Sequence, residues 1–286
     1  ANDSRRAAVV GCGAVGLTAA RQLQRRGFAV TIYAMSVPPD TTSNMSLAGI
    51  TPTSGLIDRD LRTPAWDAQF REAAEISYRE LQQLAGRGFG VSWIDRYSLR
   101  DTPPRDARND AEADEESLLP AHLQTGQITL GPGEHPFGTR YAVRSNRLRI
   151  EPAIYLDALV HDFIRFGGRI EIRKFTEPRE FVALGEPLVV NCTGLGARDL
   201  FGDDELMPLK GQLTVLVPQA DVDWGIQGGP PDGAPPGVLG VHMQPRNDGI
   251  ALGGTSERGV WSREPNQDAM RLIVSAHMAV YSAMRM

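Results

Sequence analysis

Gly11, Gly13 and Gly16 fall in the spacing G-x-G-x-x-G within Gly11-Cys12-Gly13-Ala14-Val15-Gly16. Glycines so spaced bring a backbone against a diphosphate. The first permits a tight turn off a strand, the second lets a phosphate approach the main chain, and the third lets a helix pack closely on the strand. The helix would open through Ala14 and Val15, offering free N–H groups and a partial positive charge to the phosphate oxygens. The alternative is a purely structural turn. Thr41-Thr42-Ser43-Asn44 carries hydroxyls and loop N–H groups that suit phosphate oxygens, and reads otherwise as an ordinary polar turn. A ribose-binding acidic residue belongs about 20 positions past the glycines, but Met35 stands there. Methionine has no carboxylate, so Ser36 or main-chain groups would have to substitute. That counts against a nicotinamide dinucleotide more than against a flavin one, which makes many contacts elsewhere.

The elements that would position these residues are legible from the pattern. Ala7-Ala8-Val9-Val10 reads as a short buried strand leading straight into the glycines. A helix is expected from Ala14 to about Arg26, with Val15, Ala19, Ala20 and Leu23 inward and Gly27 as its C-cap. Ala29–Tyr33 is the next strand, completing a strand–turn–helix–strand unit. Trp66, Phe70, Ala73, Ala74, Ser77, Leu81 and Leu84 mark a second helix, ending at Gly86. Ile154, Leu159, Val160, Phe163 and Ile164 mark a third, followed by a strand at Ile170–Ile172. Leu188–Asn191 reads as another buried strand and runs into Cys192-Thr193-Gly194. Leu213–Val217 and Gly249–Leu252 suit strands of a second sheet, and a last helix covers about Asn266–Met284. The acidic, proline-bearing stretch Asp101–Glu116 and the Pro/Gly-rich stretch Gly228–Gly237 read as exposed loops.

Composition narrows the classes. Hydrophobic residues make up 41% of 286, and net charge is -5 with no basic stripe, so nucleic acid is not an expected partner. Apolar runs are short, so no membrane span is expected. Cys12 and Cys192 are the only cysteines, which excludes a disulfide framework and fits a reducing compartment. No metal site is expected.

Several segments together resemble the D-amino-acid oxidase family. They are Val30-Thr31-Ile32-Tyr33-Ala34 with Pro38–Asn44, Val190–Ala197, Leu206-Met207-Pro208-Leu209-Lys210-Gly211-Gln212, and Leu252-Gly253-Gly254-Thr255. Their order and spacing carry the likeness over nearly the whole chain. The resemblance implies an α/β fold, in which an FAD-binding doubly wound Rossmann-like domain interleaves with a smaller antiparallel-sheet substrate domain. The expected division is 1–58, 142–200 and 265–286 for FAD, and 59–141 and 201–264 for substrate. It implies FAD held by Gly11–Gly16, by Thr41–Asn44 and by Cys192-Thr193-Gly194. Lys174 and Phe175 would contact the adenosine half through backbone atoms, and Ala48 and Gly49 would lie near the flavin ring. The implied reaction oxidises a D-amino acid with O2 as acceptor, giving H2O2, a 2-oxo acid and ammonia.

Two departures bear on the chemistry. The family commonly carries a Tyr where this sequence has His242, in Val241-His242-Met243-Gln244-Pro245-Arg246. His242 is the expected catalytic-site residue, and a tilt toward acidic or polar D-amino acids follows if it is protonated. The family's carboxylate-clamping Arg and second glycine-rich flavin loop follow the helix after Gly-Gly-Thr, where this sequence ends at Met286. Arg246, Arg140 and Arg144 are the candidate replacements, with Arg246 foremost. The alternatives are a glycine- or sarcosine-type amine oxidase and a non-catalytic FAD-binding protein. A homodimer is the general expectation. A cytoplasmic setting is expected, since the C-terminal residues are not a peroxisomal address.

Overall fold

The computed structural model describes residues 5–47, 49–53, 57–104, 117–229 and 240–284. In chain order its elements are β1 (Arg6–Val10), α1 (Ala14–Arg25), β2 (Ala29–Ala34), α2 (Pro64–Leu84), β3 (Val91–Arg100), β4 (Gln127–Leu130), β5 (Tyr141–Ile150), α3 (Pro152–Arg165), β6 (Arg169–Ile172), α4 (Arg179–Val182), β7 (Leu188–Asn191), α5 (Ala197–Phe201), β8 (Leu209–Lys210), β9 (Leu213–Leu216), β10 (Trp224–Gly228), β11 (Val241–Arg246), β12 (Gly249–Gly253), β13 (Glu257–Arg258) and α6 (Gln267–Ser282).

The first sheet runs β6-β2-β1-β7 and is parallel throughout, with Val9 opposite both Ile32 and Val190. Its central strands are apolar along their length because both faces are covered. Leu17 and Ala20 of α1 and Leu156, Leu159 and Phe163 of α3 pack on Ala7, Val9, Val30 and Ile32. On the other face Ala8, Val10 and Tyr33 meet Phe175, Phe181, Leu184 and Leu200. Two expectations fail here. Val15 does not turn inward but is 71% exposed. It lies on the first turn of α1, beyond the ends of the strands, where no sheet remains to cover it. β7 is not fully buried either: it ends the order of described strands, and Leu188 and Asn191 are exposed.

The second sheet has seven strands in the order β4-β5-β3-β10-β11-β12-β9, antiparallel except for β3 with β10. α6 lays Ile273, Ala276 and Val280 on Leu99, Ile226, Val241, Met243, Ile250 and Leu252. Its N-terminus is capped by Asn266, whose Oδ1 accepts from the Asp268 and Ala269 amides at 2.9 and 3.3 Å. α2 begins with the Thr63 hydroxyl accepting from the Trp66 amide at 3.2 Å and Pro64 in its first turn. Of the residues on its expected apolar stripe, Ala73 and Ser77 are exposed, and Tyr78 is the one fully buried side chain.

Strands β3, β4 and β5 have no counterpart in the sequence reading. Their arginines and serines hide the alternation that a half-buried strand shows. The expected division between halves shifts accordingly. β5 pairs along its whole length with β3, and α6 packs on the seven-stranded sheet, so neither joins the parallel half. The stretches 101–116 and 228–237 lie for the most part outside the described residues. No helix among the described residues is long and apolar enough to cross a membrane.

Candidate functional site

Parallel pairing of four strands sends all their carboxyl ends to one edge, and the predicted cofactor residues gather there. The Gly11 amide donates to the Tyr33 carbonyl at 2.8 Å, Cys192 N to Val10 O at 2.8 Å, and Arg173 N to Ala34 O at 2.9 Å. These bonds tie together the turns that follow β1, β2, β6 and β7. Gly11 has φ +120°, and a Cβ on it would stand 2.2 Å from the Cys192 carbonyl oxygen. A Cβ on Gly16 would stand 2.0 Å from the Gly11 carbonyl oxygen. The two glycines therefore set how closely α1 approaches β1 and β7. The N-cap residue of α1, Gly13, has no side chain to cap it, and the first turn holds no acid. The amides of that turn are the kind that bind phosphate oxygens.

Thr41–Asn44 divides its tasks. Thr41 and Asn44 are buried, and the Thr41 hydroxyl donates to Asn44 Oδ1 at 2.7 Å. That bond holds the short helical turn over 42–45 in place. Ser43 Oγ accepts from the Ala14 amide at 3.0 Å, which brings it to the glycine turn and leaves its own O–H to donate. Thr42 is exposed. Met35 and Ser36 follow β2 at the same edge, Met35 exposed and Ser36 half-buried. Lys174 is exposed, while the Phe175 ring is core, edge-on to Tyr33 and Phe181. Only the backbone of Phe175 is left for a ligand. Thr193 N and Oγ1 both donate to Asn191 Oδ1, at 3.1 and 2.7 Å, which shapes the turn into Gly194. Burial pushes the Cys12 thiol up to about 11 and the Cys192 thiol up as well, so both stay protonated packing groups. Ala48 lies outside the described residues, and Gly49 makes an isolated antiparallel bridge to Arg149.

The segment at Ser46 and Leu47, a few residues before Gly49, meets the face of the seven-stranded sheet opposite the one that α6 covers. β11 alternates: Val241, Met243 and Pro245 are buried, while His242, Gln244 and Arg246 point to the other face. Gln244 Nε2 donates to Leu47 O at 3.0 Å. Arg246 reaches Ser46 O at 3.4 Å, and its guanidinium forms a two-pronged pair with Asp248. Arg246, foremost of the clamp candidates, thus has a carboxylate of its own and holds the segment. Arg144 stands opposite Tyr97 on β3, a register that turns it to the α6 face, and Arg140 is exposed just before β5. Sequence reasoning missed the pair beneath the segment. Arg149 contacts the Glu151 carboxylate at 3.2 Å and donates to Pro245 O at 2.7 Å. Glu151 also accepts from the Asn247 amide at 2.8 Å.

His242 lies across Gly253 of β12; a Cβ there would stand 1.8 Å from its Nε2. Burial, and then the charge of His277, holds its pKa below the usual imidazole range. His277 is itself buried, and that lowers its pKa too. Its Nδ1 faces Ile273 O at 2.8 Å and its Nε2 faces His242 O at 3.2 Å. Both imidazoles are therefore neutral at pH 7, and the acidic tilt expected of a protonated His242 finds no charge there. Both depressed pKa values make the unfolded chain the stronger proton binder below its ordinary histidine pKa of 6.5. Stability is therefore full above that pH and falls as pH drops below it, by at most about 1.4 kcal/mol per pH unit for each residue. Thermal melts between pH 7.5 and 5.5 are expected to show the fall, with a shallower slope in His277→Leu. An unchanged slope in that variant counts against the assignment.

The family model for FAD dependent oxidoreductases matches residues 6–284. The chain belongs to this family. Sequence similarity supports the same placement. A D-amino-acid oxidase of Rubrobacter xylanophilus is 29% identical over 281 residues, which cover 98% of this chain and 78% of that protein. A human D-aspartate oxidase is 27% identical over 277 residues, covering 96% of this chain and 75% of that protein. In fold, a glycine oxidase from Bacillus cereus superposes with a TM-score of 0.67 at 14% identity, covering 96% and 79% of the two chains. The cofactor of this oxidoreductase is FAD, and its own residues fit the group. The approach to α1 is free of side chains at Gly11 and Gly16. The α1 amides and the Ser43 hydroxyl offer donors without an opposing acid in the first turn.

Proposed function

We propose that the chain is an FAD-dependent oxidase of D-amino acids. The observation that carries the reading is its similarity to the Rubrobacter xylanophilus D-amino-acid oxidase through 98% of its length. The parallel half is read as the cofactor side and the seven-stranded sheet as the substrate side. FAD, when bound, supplies the two-electron acceptor for the Cα hydride and the means of passing that pair to O2. The substrate loses a hydride from Cα and a proton from nitrogen, leaving a C=N bond. O2 takes up the electron pair with two protons and departs as H2O2. Water then displaces the imine nitrogen, giving a 2-oxo acid and ammonia.

The chain's residues bind and orient. The α1 amides and Ser43 hydroxyl meet the diphosphate, and the turn at Cys192-Thr193-Gly194 lines the same edge. Gln244 and Arg246 hold Leu47 and Ser46 through main-chain carbonyls, an anchorage that would set Gly49 near the flavin ring. His242, neutral and on the same sheet face, orients substrate through one N–H without contributing a charge. Holoprotein is expected to show a flavin spectrum that bleaches under anaerobic D-alanine or D-aspartate and not under the L-isomers, with H2O2 equal to 2-oxo acid in air. Bleaching by glycine or sarcosine alone points to an amine oxidase. A flavin that no amine bleaches points to a non-catalytic FAD protein, and either result overturns the proposal.

A further inference from the structure

The sheet face that carries His242 also carries an arginine that pairs with no carboxylate among the described residues. Arg96 sits in the middle of β3, with Gly225 of β10 on one side and Ser145 of β5 on the other. An arginine inside a sheet normally meets a carboxylate, because an unpaired buried charge is costly. Arg96 meets none among the described residues. Its Nε is buried and has no hydrogen-bond partner. Ser145 is engaged instead by Arg147, whose Nε donates to its hydroxyl at 3.1 Å. Burial first, and then the like charge of Arg147, pulls Arg96 down to about 10. Two guanidinium groups thus share one region of the face, and no acidic group acts on Arg96 there.

Gly225 puts no side chain on the face beside Arg96, and a Cβ on it would stand 2.9 Å from the Met243 carbonyl oxygen and 4.0 Å from Arg96 Cγ. Gln227 pairs with His242 on one side and Ser98 on the other, so β10 alone separates the strands of His242 and Arg96. A dicarboxylic amino acid brings a second anion that a guanidinium on this face can meet. A guanidinium binds a carboxylate with two parallel N–H donors, a geometry a neutral histidine cannot supply.

Resting on the oxidase reading above, we propose that Arg96 is a specificity residue that reads the side-chain carboxylate of an acidic D-amino acid, D-aspartate or D-glutamate, with Gly225 placing no side chain beside it and Arg147 reinforcing the field. Steady-state kinetics on holoprotein test it. In Arg96→Gln, kcat/KM for D-aspartate and D-glutamate is expected to fall about 100-fold, mostly through KM. The value for D-alanine stays within about 3-fold, since that substrate brings no second anion to desolvate. Arg96→Lys keeps the charge without the fork and is expected to lie between, and it decides the matter should the Gln variant fail to retain flavin. As a readout independent of turnover, succinate should raise the melting temperature of wild-type holoprotein more than propionate does, and Arg96→Gln should lose the difference. Equal losses on all substrates, or no loss on any, overturn the proposal. So does a wild type that oxidises D-alanine but neither acidic substrate, an outcome that leaves the oxidase reading standing. A wild type inert toward every D-amino acid removes the oxidase reading and this inference with it.

Discussion

Gly11→Ala protein is expected to emerge from purification without flavin and with a lowered melting temperature. The new Cβ would stand 2.2 Å from the Cys192 carbonyl oxygen and 2.8 Å from its carbon, and both are backbone atoms of the turn after β7. No rotamer change relieves them. Gly11 is also held from the other side by its 2.8 Å bond to Tyr33 O. Relief requires β1 and β7 to part at the edge where the diphosphate binds. A positive φ costs an L-residue about 1–2 kcal/mol, and overpacking adds about 1–3 kcal/mol. A penalty on the order of 3 kcal/mol is more than a 100-fold loss if flavin affinity bears it. Gly13→Ala is the control for stability, since its Cβ would meet only the Ser43 side chain among protein atoms, with Oγ at 3.0 Å, and should leave the melting temperature near that of the wild type even where the methyl crowds the diphosphate. Titration with FAD and thermal melts of both variants decide the point. A yellow Gly11→Ala protein with wild-type stability would show that this turn does not govern the site.

Replacing Glu151 should cost more than any surface ion pair would. It is a buried acid at the junction of β5 and α3, with one oxygen on Arg149 and the other on the Asn247 amide. Glu151→Ala strands the Arg149 guanidinium and the Asn247 donor together. Breaking one side of a buried pair costs about 3–5 kcal/mol, which for a chain of this size lowers the melting temperature by about 10 °C. The consequence should reach the site. Arg149 also supports Pro245 O and opposes Gly49, so the chain at Gly49 and the end of β11 loses support and flavin should dissociate more readily. The double variant Arg149→Met with Glu151→Leu removes both charges and should regain most of the stability. Calorimetry of the single and double variants separates the cases. A double variant as unstable as the sum of its parts would mean that the pair is not what matters there.

Much of this protein is written locally in its sequence. Gly11-Cys12-Gly13-Ala14-Val15-Gly16 specifies a turn because glycine alone tolerates the φ and the close contacts found there. The apolar runs Ala7–Val10 and Leu188–Val190 specify strands, and the spacing of Leu159 and Phe163 a helix, because burial follows the periods of those structures. The parallel-sheet edge with its glycine turn was therefore legible from the sequence. That edge is made of turns that directly follow such elements.

The face of the seven-stranded sheet opposite α6 was decided only by tertiary structure. Both arginines have an aspartate close by in the chain, Asp95 beside Arg96 and Asp248 two residues after Arg246. Arg246 is answered by its aspartate, whereas Arg96, between Gly225 and Ser145, pairs with no carboxylate among the described residues. His242 looked able to hold a charge until burial, with His277 beside its carbonyl, kept it neutral. Charge state and pairing depend on solvent exclusion and on neighbours brought in by long-range strand register. Local periodicity carries no information about either, so only the packed chain could sort these arginines.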